Sequence, residues 1–330
     1  MSKKILIVGH GLAGAILTHT LLERGEDVLV IDSRKPHSAS HVSAGLINPF
    51  IGPKLNLPGD FADSMDANLK FLRSVNSQTG PQFLRSIDLI RVFRSDEQRA
   101  NWNNLPGIYK KSTLDEGQCM KLKITAPNGA GITKAWKFDS EGFLKFSEEI
   151  LSAQNRLIYA AFQSDSWPDY QVIFCEGFRV IENQWFKNLP FSPAQGEVLS
   201  VRSTSLLHAS NGTWYTSDQN LGVAKAGSTW KHHDLESGPT LSAKNEILRN
   251  LDFIPCTLDN LVTAQSSGVR NGTRDRNPIM GRHPEFKNYY VFNGFGSRGC
   301  TTIALCAREF TDFLLNETPL PGNKDMKRFN

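Results

Sequence analysis

The sequence predicts an α/β chain in which parallel βαβ units at the two ends enclose a stretch of antiparallel strands. Three observations predict it. The first residues run strand, glycine-rich turn, helix, strand; the middle breaks into short β-rich runs between turn residues; and the end returns to strand, glycine turn and helix.

Ile5 to Val8 is an uninterrupted apolar run, as a parallel strand buried on both faces requires, and Gly9 to Gly14 is the turn that follows. Ala15 to Arg24 carries Ile16, Leu17, Leu21 and Leu22 at helical spacing, and Gly25 stops that helix. Asp27 to Ile31 returns to aliphatic and β-branched residues and ends at Asp32. Leu46 to Pro58, rich in Pro, Gly and Asn, reads as loop, and Ala62 to Val75 as a helix with Met65, Leu69, Leu72 and Val75 as its apolar positions. Asp88 to Phe93, Met120 to Thr125 and Ala135 to Phe138 read as antiparallel strands, with a helix at Asp96 to Leu105. Gly142 to Ala153 is a further helix, and Val172 to Phe174 a buried strand leading to Gly177. Strands follow at Glu197 to Val201, Thr213 to Tyr215, Val223 to Ala226 and Leu261 to Ser266, with a helix at Ser242 to Leu251. Tyr289 to Phe292 is the last strand, feeding Gly294 to Gly299 and a closing helix from Thr302 to Leu315. This order reads as a discontinuous cofactor domain, residues 1–80, 137–195 and 263–330. It carries an inserted α+β substrate domain with an antiparallel sheet, residues 81–136 and 196–262.

A chain of 330 residues, 39% hydrophobic and 21% charged, can bury one large core or two domains that share a cofactor. The 37 basic and 33 acidic residues nearly cancel, with no long run of one sign, so charge neither supports nor excludes a tRNA substrate. Cys119, Cys175, Cys256, Cys300 and Cys306 are scattered without a CxxC pair or a His cluster at ligand spacing, which predicts reduced thiols and no metal. Two lysines before an apolar stretch imitate a signal peptide, but the stretch runs into a glycine turn instead of a cleavage site. With no run of the ~18 apolar residues that a membrane span needs, a cytoplasmic location is expected.

The three glycines of GHGLAG follow a strand and open a helix, the setting in which GxGxxG has a physical reason. Gly9 permits the tight turn, Gly11 leaves room for a pyrophosphate, and Gly14 lets helix and strand approach, while the helix amino end turns free N–H groups toward the anion. Asp32, eighteen positions after Gly14, ends the second strand where a carboxylate can accept both hydroxyls of an adenosine ribose. An unphosphorylated ribose follows, in FAD or NAD, and the motif alone does not choose between them.

Three further segments, SASHVSAGLINP (Ser38 to Pro49), SGVRNGTRDRNPIMGRHP (Ser267 to Pro284) and VFNGFGSRGCTTIALCAREF (Val291 to Phe310), carry a resemblance. Together with the amino end they resemble the FAD-dependent D-amino-acid oxidase superfamily, especially its glycine oxidase, sarcosine oxidase and tRNA wobble-uridine oxidase branches. The resemblance implies a Rossmann-type FAD-binding domain with an inserted substrate domain. It places Ser40, Ser43, Ala44, Gly45, Gly177, Gly296, Ser297, Arg298 and Gly299 around the cofactor. Small residues let backbone approach the flavin, and Arg298 would face the charge of a reduced ring. Arg270 matches the arginine that grips a substrate carboxylate, a task suited to a planar fork. Lys225 resembles the lysine that promotes the reaction with oxygen. Gly268 stands where sarcosine oxidases carry the cysteine that bonds the flavin, so FAD is expected to be non-covalent. His41, His232 and His233 are expected to be structural. Two places depart from the family pattern: the connection between Ala153 and Val172 is short, and CEGF (Cys175 to Phe178) replaces a small-residue turn.

The activity implied is oxidation of a C–N bond in a small amine or amino acid of glycine, sarcosine or D-amino-acid type, with oxygen or another electron acceptor as partner. The tRNA branch implies instead the trimming of a carboxymethylaminomethyl group on a uridine. A third expectation, from outside the enzymes, is a flavin-binding protein without turnover of its own.

Overall fold

A computed structural model describes residues 4–75, 82–203, 206–217, 222–255 and 258–329; Cys256 lies outside them. The chain opens with β1 (Lys4–Val8), α1 (Leu12–Glu23) and β2 (Val28–Asp32), then α2 (Ala39–Val42), β3 (Leu46–Ile47) and α3 (Phe61–Val75). The middle runs through β4 (Leu84–Val92), α4 (Asp96–Asn103), β5 (Lys110–Leu114), α5 (Glu116–Lys121), β6 (Ala130–Phe138), α6 (Ser140–Ala153), β7 (Leu157–Tyr159) and β8 (Tyr170–Phe174). It continues with β9 (Phe191–Ser203), β10 (His208–Ser210), β11 (Trp214–Ser217), β12 (Gly222–Gly227), α7 (Leu241–Asn250) and β13 (Val262–Thr273). β14 (Ile279–Arg282), β15 (Tyr289–Asn293) and α8 (Gly299–Asn316) close it.

Two sheets result. The first has the order β14-β15-β8-β1-β2-β7, parallel throughout except for the antiparallel edge pair β14/β15. Its central strand is sealed: Ile5, Leu6 and Ile7 are buried, as a strand covered on both faces must be. Helix α1 is buried nearly from end to end, because it lies in a core that also takes residues of α3, α6 and α8. Such a helix is apolar around its circumference, without a single stripe. The second sheet has the order β13-β9-β12-β11-β10-β4-β6-β3, with β5 also on β6, and is antiparallel apart from the β10/β4 pair.

Most expected elements are present, with ends extended by a few residues. Met120–Thr125 is a correction: the helix α5 ends within it, and no strand forms there. Asp115 accepts from the Gln118 N–H, and the Gln118 side chain answers the Asp115 N–H, a capping box that commits the segment to helix. The sequence DEGQ carried that signal, and the apolar alternation after it obscured it. The short strands β3, β5, β7, β10 and β14 were not foreseen; they are two to five residues long and are formed by pairing with longer neighbours.

The β1–turn–α1 unit has no spare volume. A Cβ on Gly14 would stand 1.9 Å from the Gly9 carbonyl oxygen, and one on Gly9, whose φ is +106°, would stand 2.7 Å from the Cys175 carbonyl oxygen. Gly14→Ala is therefore expected to lower the unfolding free energy by about 1–3 kcal/mol, the usual cost of overpacking. A urea titration of the variant against the parent measures it, and an unchanged midpoint would refute the contact.

Candidate active site

The carboxyl ends of β1, β2 and β8 open into a cavity of ≈ 1790 Å³ that runs between the two sheets. That exceeds the ~300–1,000 Å³ of an ordinary ligand pocket and leaves room for a cofactor with a substrate beside it. At one end Gly9, His10, Gly11 and the amino end of α1 line the wall. Ser40 Oγ accepts from the Leu12 N–H at 3.0 Å, so α2 is tied to the first turn of α1. Asp32 accepts the N–H of His10 at 2.5 Å on one carboxylate oxygen and that of Arg34 at 2.6 Å on the other. These bonds fix the orientation of the carboxylate. Below it, His10 and His19 both bond Ser147 Oγ at 2.9 Å, and burial, with His10 adjacent, pushes His19 down to about 4, so the pair is neutral near pH 7.

Ser43, Ala44 and Gly45 line the middle of the cavity. Gly45 has φ +66°, and a Cβ there would meet the Phe138 carbonyl oxygen at 1.7 Å. Gly177 and Gly296, both with positive φ, reach the same wall, with Ser297 and Gly299 at the amino end of α8. Three expected site residues are not on this wall. Gly14 is spent on packing; Arg298 is ion-paired with Asp60 at 2.8 Å; Lys225 donates to the Ser43 carbonyl at 3.3 Å and lines a separate cavity of ≈ 50 Å³ behind the Ser43–Ala44 backbone.

The far half is formed by one face of the nine-stranded sheet. Pairing carries that face from Gly268 to Gly196, and from Val198 through Gly227 and Trp214 to Ser210 and Arg91. Arg270 lies on it, crossing over Gly196, where a Cβ would stand 1.9 Å from its Nη2. Its Nη2 donates to Ser228 Oγ at 2.6 Å, and its guanidinium sits 4.3 Å from the centre of the Trp230 ring. Burial pushes Arg270 down to about 10, which leaves it a cation near neutrality, and no carboxylate among the described residues pairs with it.

Gly196, Ser228, Trp230, Glu176 and Arg91 were not singled out from the sequence. Only Arg91 left a signal there, as a charge in step with Ile87 and Leu89 on the strand IDLIRV. Among the described residues, no group of three or more His, Cys, Asp or Glu could hold a metal, and no helix is long and apolar enough to cross a membrane.

The fit to FAD can be tested on the wall itself. The glycine turn at α1, the fixed Asp32 carboxylate and the small residues Ser43, Ala44, Gly45, Gly296, Ser297 and Gly299 all line the one cavity, the groups that a pyrophosphate, a ribose and a flat ring require. At Gly268 a Cβ would stand 3.1 Å from Ala39 Cα, so any side chain there would crowd α2.

A family model described as FAD dependent oxidoreductase matches residues 4–313. The tRNA 5-methylaminomethyl-2-thiouridine biosynthesis bifunctional protein of Leptospira borgpetersenii is 22% identical over 408 residues, covering 97% of this chain and 58% of that protein. The chain thus spans little more than half of that relative. The structure of glycine oxidase from Geobacillus kaustophilus superposes with a TM-score of 0.78 at 18% identity, over 97% of this chain and 96% of that one. Iminodiacetate oxidase from Chelativorans sp. BNC1 gives 0.78 at 16%, over 97% and 98%. The chain shares their fold.

Glu176 gives the site a pH dependence. Burial pushes its carboxyl up to about 7, against the bond it accepts from Asn183 Nδ2 at 2.7 Å. The folded chain then holds a proton that the unfolded chain has released, so stability falls as pH rises from the usual carboxylate range to about 7, and stays low above it. Glu176→Gln is expected to raise stability by about 1–3 kcal/mol above pH 7 and to change it little near pH 4. Thermal unfolding across that range checks this; equal gains at both ends would refute it.

Proposed function

The chain belongs to the family of FAD-dependent oxidoreductases, and on that premise we propose that it oxidises a C–N bond in an amine that also carries a carboxylate, held by Arg270. The observation that carries this reading is the Arg270 guanidinium, a cation on the cavity wall with no acid among the described residues to neutralise it. An uncompensated buried cation is costly, and a substrate carboxylate would supply the missing partner through a bidentate contact. Residues 1–80, 137–195 and 263–330 hold FAD in this reading, and 81–136 and 196–262 shape the substrate side.

The turn at Gly9 and Gly11, with the amino end of α1 and its Ser40 tie, holds the pyrophosphate, and Asp32 the ribose. Ser43, Ala44, Gly45, Gly177, Gly296, Ser297 and Gly299 leave space for the ring, and Arg298, through Asp60, fixes the loop that presents the last three. Bound FAD supplies the oxidant, accepting a hydride from the carbon beside the nitrogen. Arg270 fixes the direction of the substrate, and Trp230 covers the clamp from the solvent side, being 57% exposed itself. Orientation is the main contribution of the chain, and no general base is needed. The imine product hydrolyses in water, and oxygen or another acceptor takes the electrons. Lys225, which donates to the Ser43 carbonyl from behind the wall, is the cation this reading assigns to the reaction with oxygen.

A second reading puts the same carboxylate on a carboxymethylaminomethyl group of a tRNA uridine. Alignment along 97% of the chain with a protein named for tRNA 5-methylaminomethyl-2-thiouridine biosynthesis favours it.

Anaerobic mixing of the FAD-loaded protein with glycine, N-methylglycine, D- and L-amino acids and undermodified tRNA tests both readings through loss of oxidised-flavin absorbance. One member is expected to bleach it, with Arg270→Lys raising KM on the order of 10²-fold, as loss of a buried charge-assisted clamp costs. Bleaching by amines that lack a carboxylate, unaffected by Arg270→Lys, would overturn the assignment. Lys225→Met is expected to slow reoxidation by oxygen on the order of 10²-fold with anaerobic reduction unchanged; equal slowing of both half-reactions would remove Lys225 from the oxygen step.

A further inference from the structure

Arg91 is the second uncompensated cation of the cavity. It is 6% exposed on β4, its Nε has no hydrogen-bond partner, and its nearest acceptor is the Gly52 carbonyl at 3.5 Å. Arg94 stands close enough to depress it, and burial with that repulsion brings Arg91 down to about 10. Arg94 itself donates to Asn211 Oδ1 at 3.3 Å, and no carboxylate among the described residues pairs with either arginine. Gln98 completes the wall. It is buried, and its side chain accepts from the Arg94 N–H at 3.1 Å and donates to the Pro53 carbonyl at 3.0 Å, which holds the loop at 52–53 against the pair.

Position separates this site from the Arg270 clamp. The two arginines lie on the same sheet face with five strand steps between β13 and β4, each about 4.8 Å. Burial alone accounts for the depressed Arg270, so the two centres do not act on each other as neighbouring charges do. An amino acid gripped at Arg270 is too short to reach Arg91. Trp214 lines the cavity on the same face between them.

We infer that Arg91 and Arg94 bind a phosphoryl group belonging to the substrate, so that the amine oxidised here is part of a phosphorylated molecule of nucleotide size or larger, long enough to set a carboxylate at Arg270 and a phosphate at Arg91. Two adjacent guanidiniums match a group that carries close to two negative charges and several acceptor oxygens better than they match one carboxylate. Trp214 then offers the intervening ring a stacking surface. The inference rests on the reading of the cavity as an amine-oxidising site.

Calorimetric titration of the FAD-loaded protein with uridine 5′-monophosphate, inorganic phosphate and malonate tests it without turnover. The nucleotide is expected to bind at least tenfold more tightly than phosphate or malonate. Arg91→Met should weaken it tenfold or more, the exposed Arg94→Gln severalfold, and saturating acetate, aimed at Arg270, should leave it unchanged. Equal affinity for phosphate and nucleotide would reduce the site to one for free phosphate and overturn the substrate class. Malonate binding more tightly than phosphate or nucleotide, and losing that affinity in Arg91→Met, would overturn the phosphoryl assignment. Binding unaffected by either substitution would overturn the site altogether. Amine bleaching without nucleotide binding would refute this inference and leave amine oxidation standing; nucleotide binding at Arg91 without bleaching by any amine would remove the amine reading and, with it, the substrate inferred here.

Discussion

The cavity exists because β13 belongs to one sheet and is stitched to the other. Along its length it pairs with β9, and near its end the Val269 N–H donates to the His37 carbonyl at 2.9 Å. Two residues on, Asn271 Nδ2 donates to the Gly177 carbonyl at 3.0 Å and to Asn293 Oδ1 at 3.2 Å. Asn293 ends β15, and Gly177 follows β8, so one short segment fixes the carboxyl ends of the parallel strands against the face of the antiparallel sheet. Buried amides of this kind are stable only when both partners stay in place. The same segment carries Arg270, and the strand that joins the layers therefore also aims the cation at their junction.

Charge is distributed to the same effect. The surface pairs its ions freely, as Arg156 with Asp27 and Lys35 with Glu182, both at 2.8 Å, do. Arg270 and Arg91, on the cavity wall, have no such partner among the described residues. Each gives up stability, since a desolvated cation is unfavourable in the free chain, and each is held by packing that leaves it nowhere else to go: Arg270 between Gly196 and Trp230, Arg91 behind the loop at Gly52. Glu176 follows the opposite rule, keeping its proton instead of an ion partner.

The amino-terminal motif was legible because its requirements are local. Gly9, Gly11, Gly14 and Asp32 lie within one βαβ unit, and each is demanded by backbone geometry or by one ligand group. Long helices such as α3 and α8 were legible for the same reason: burial writes a period into the sequence. Short strands such as β3 and β10 were not, because a strand of two or three residues is fixed by the partner that pairs with it. The segment at 120–125 was misread because its alternation competed with a capping box one turn earlier.

The sequence by itself determined the class of fold, the dinucleotide turn and the residue types able to grip a carboxylate. Only the tertiary structure decided which of those residues share a wall. Arg270 and Gly196 are seventy-four residues apart and meet because β9 and β13 pair in one register; Arg298 and Lys225, equally plausible in sequence, are drawn to Asp60 and to the Ser43 carbonyl. Arg91 became a candidate when both faces of its strand proved to be covered, leaving its charge on the cavity wall without a carboxylate partner among the described residues. Local propensity is set by neighbours in sequence, whereas the electrostatic meaning of a charge is set by what the fold removes from around it.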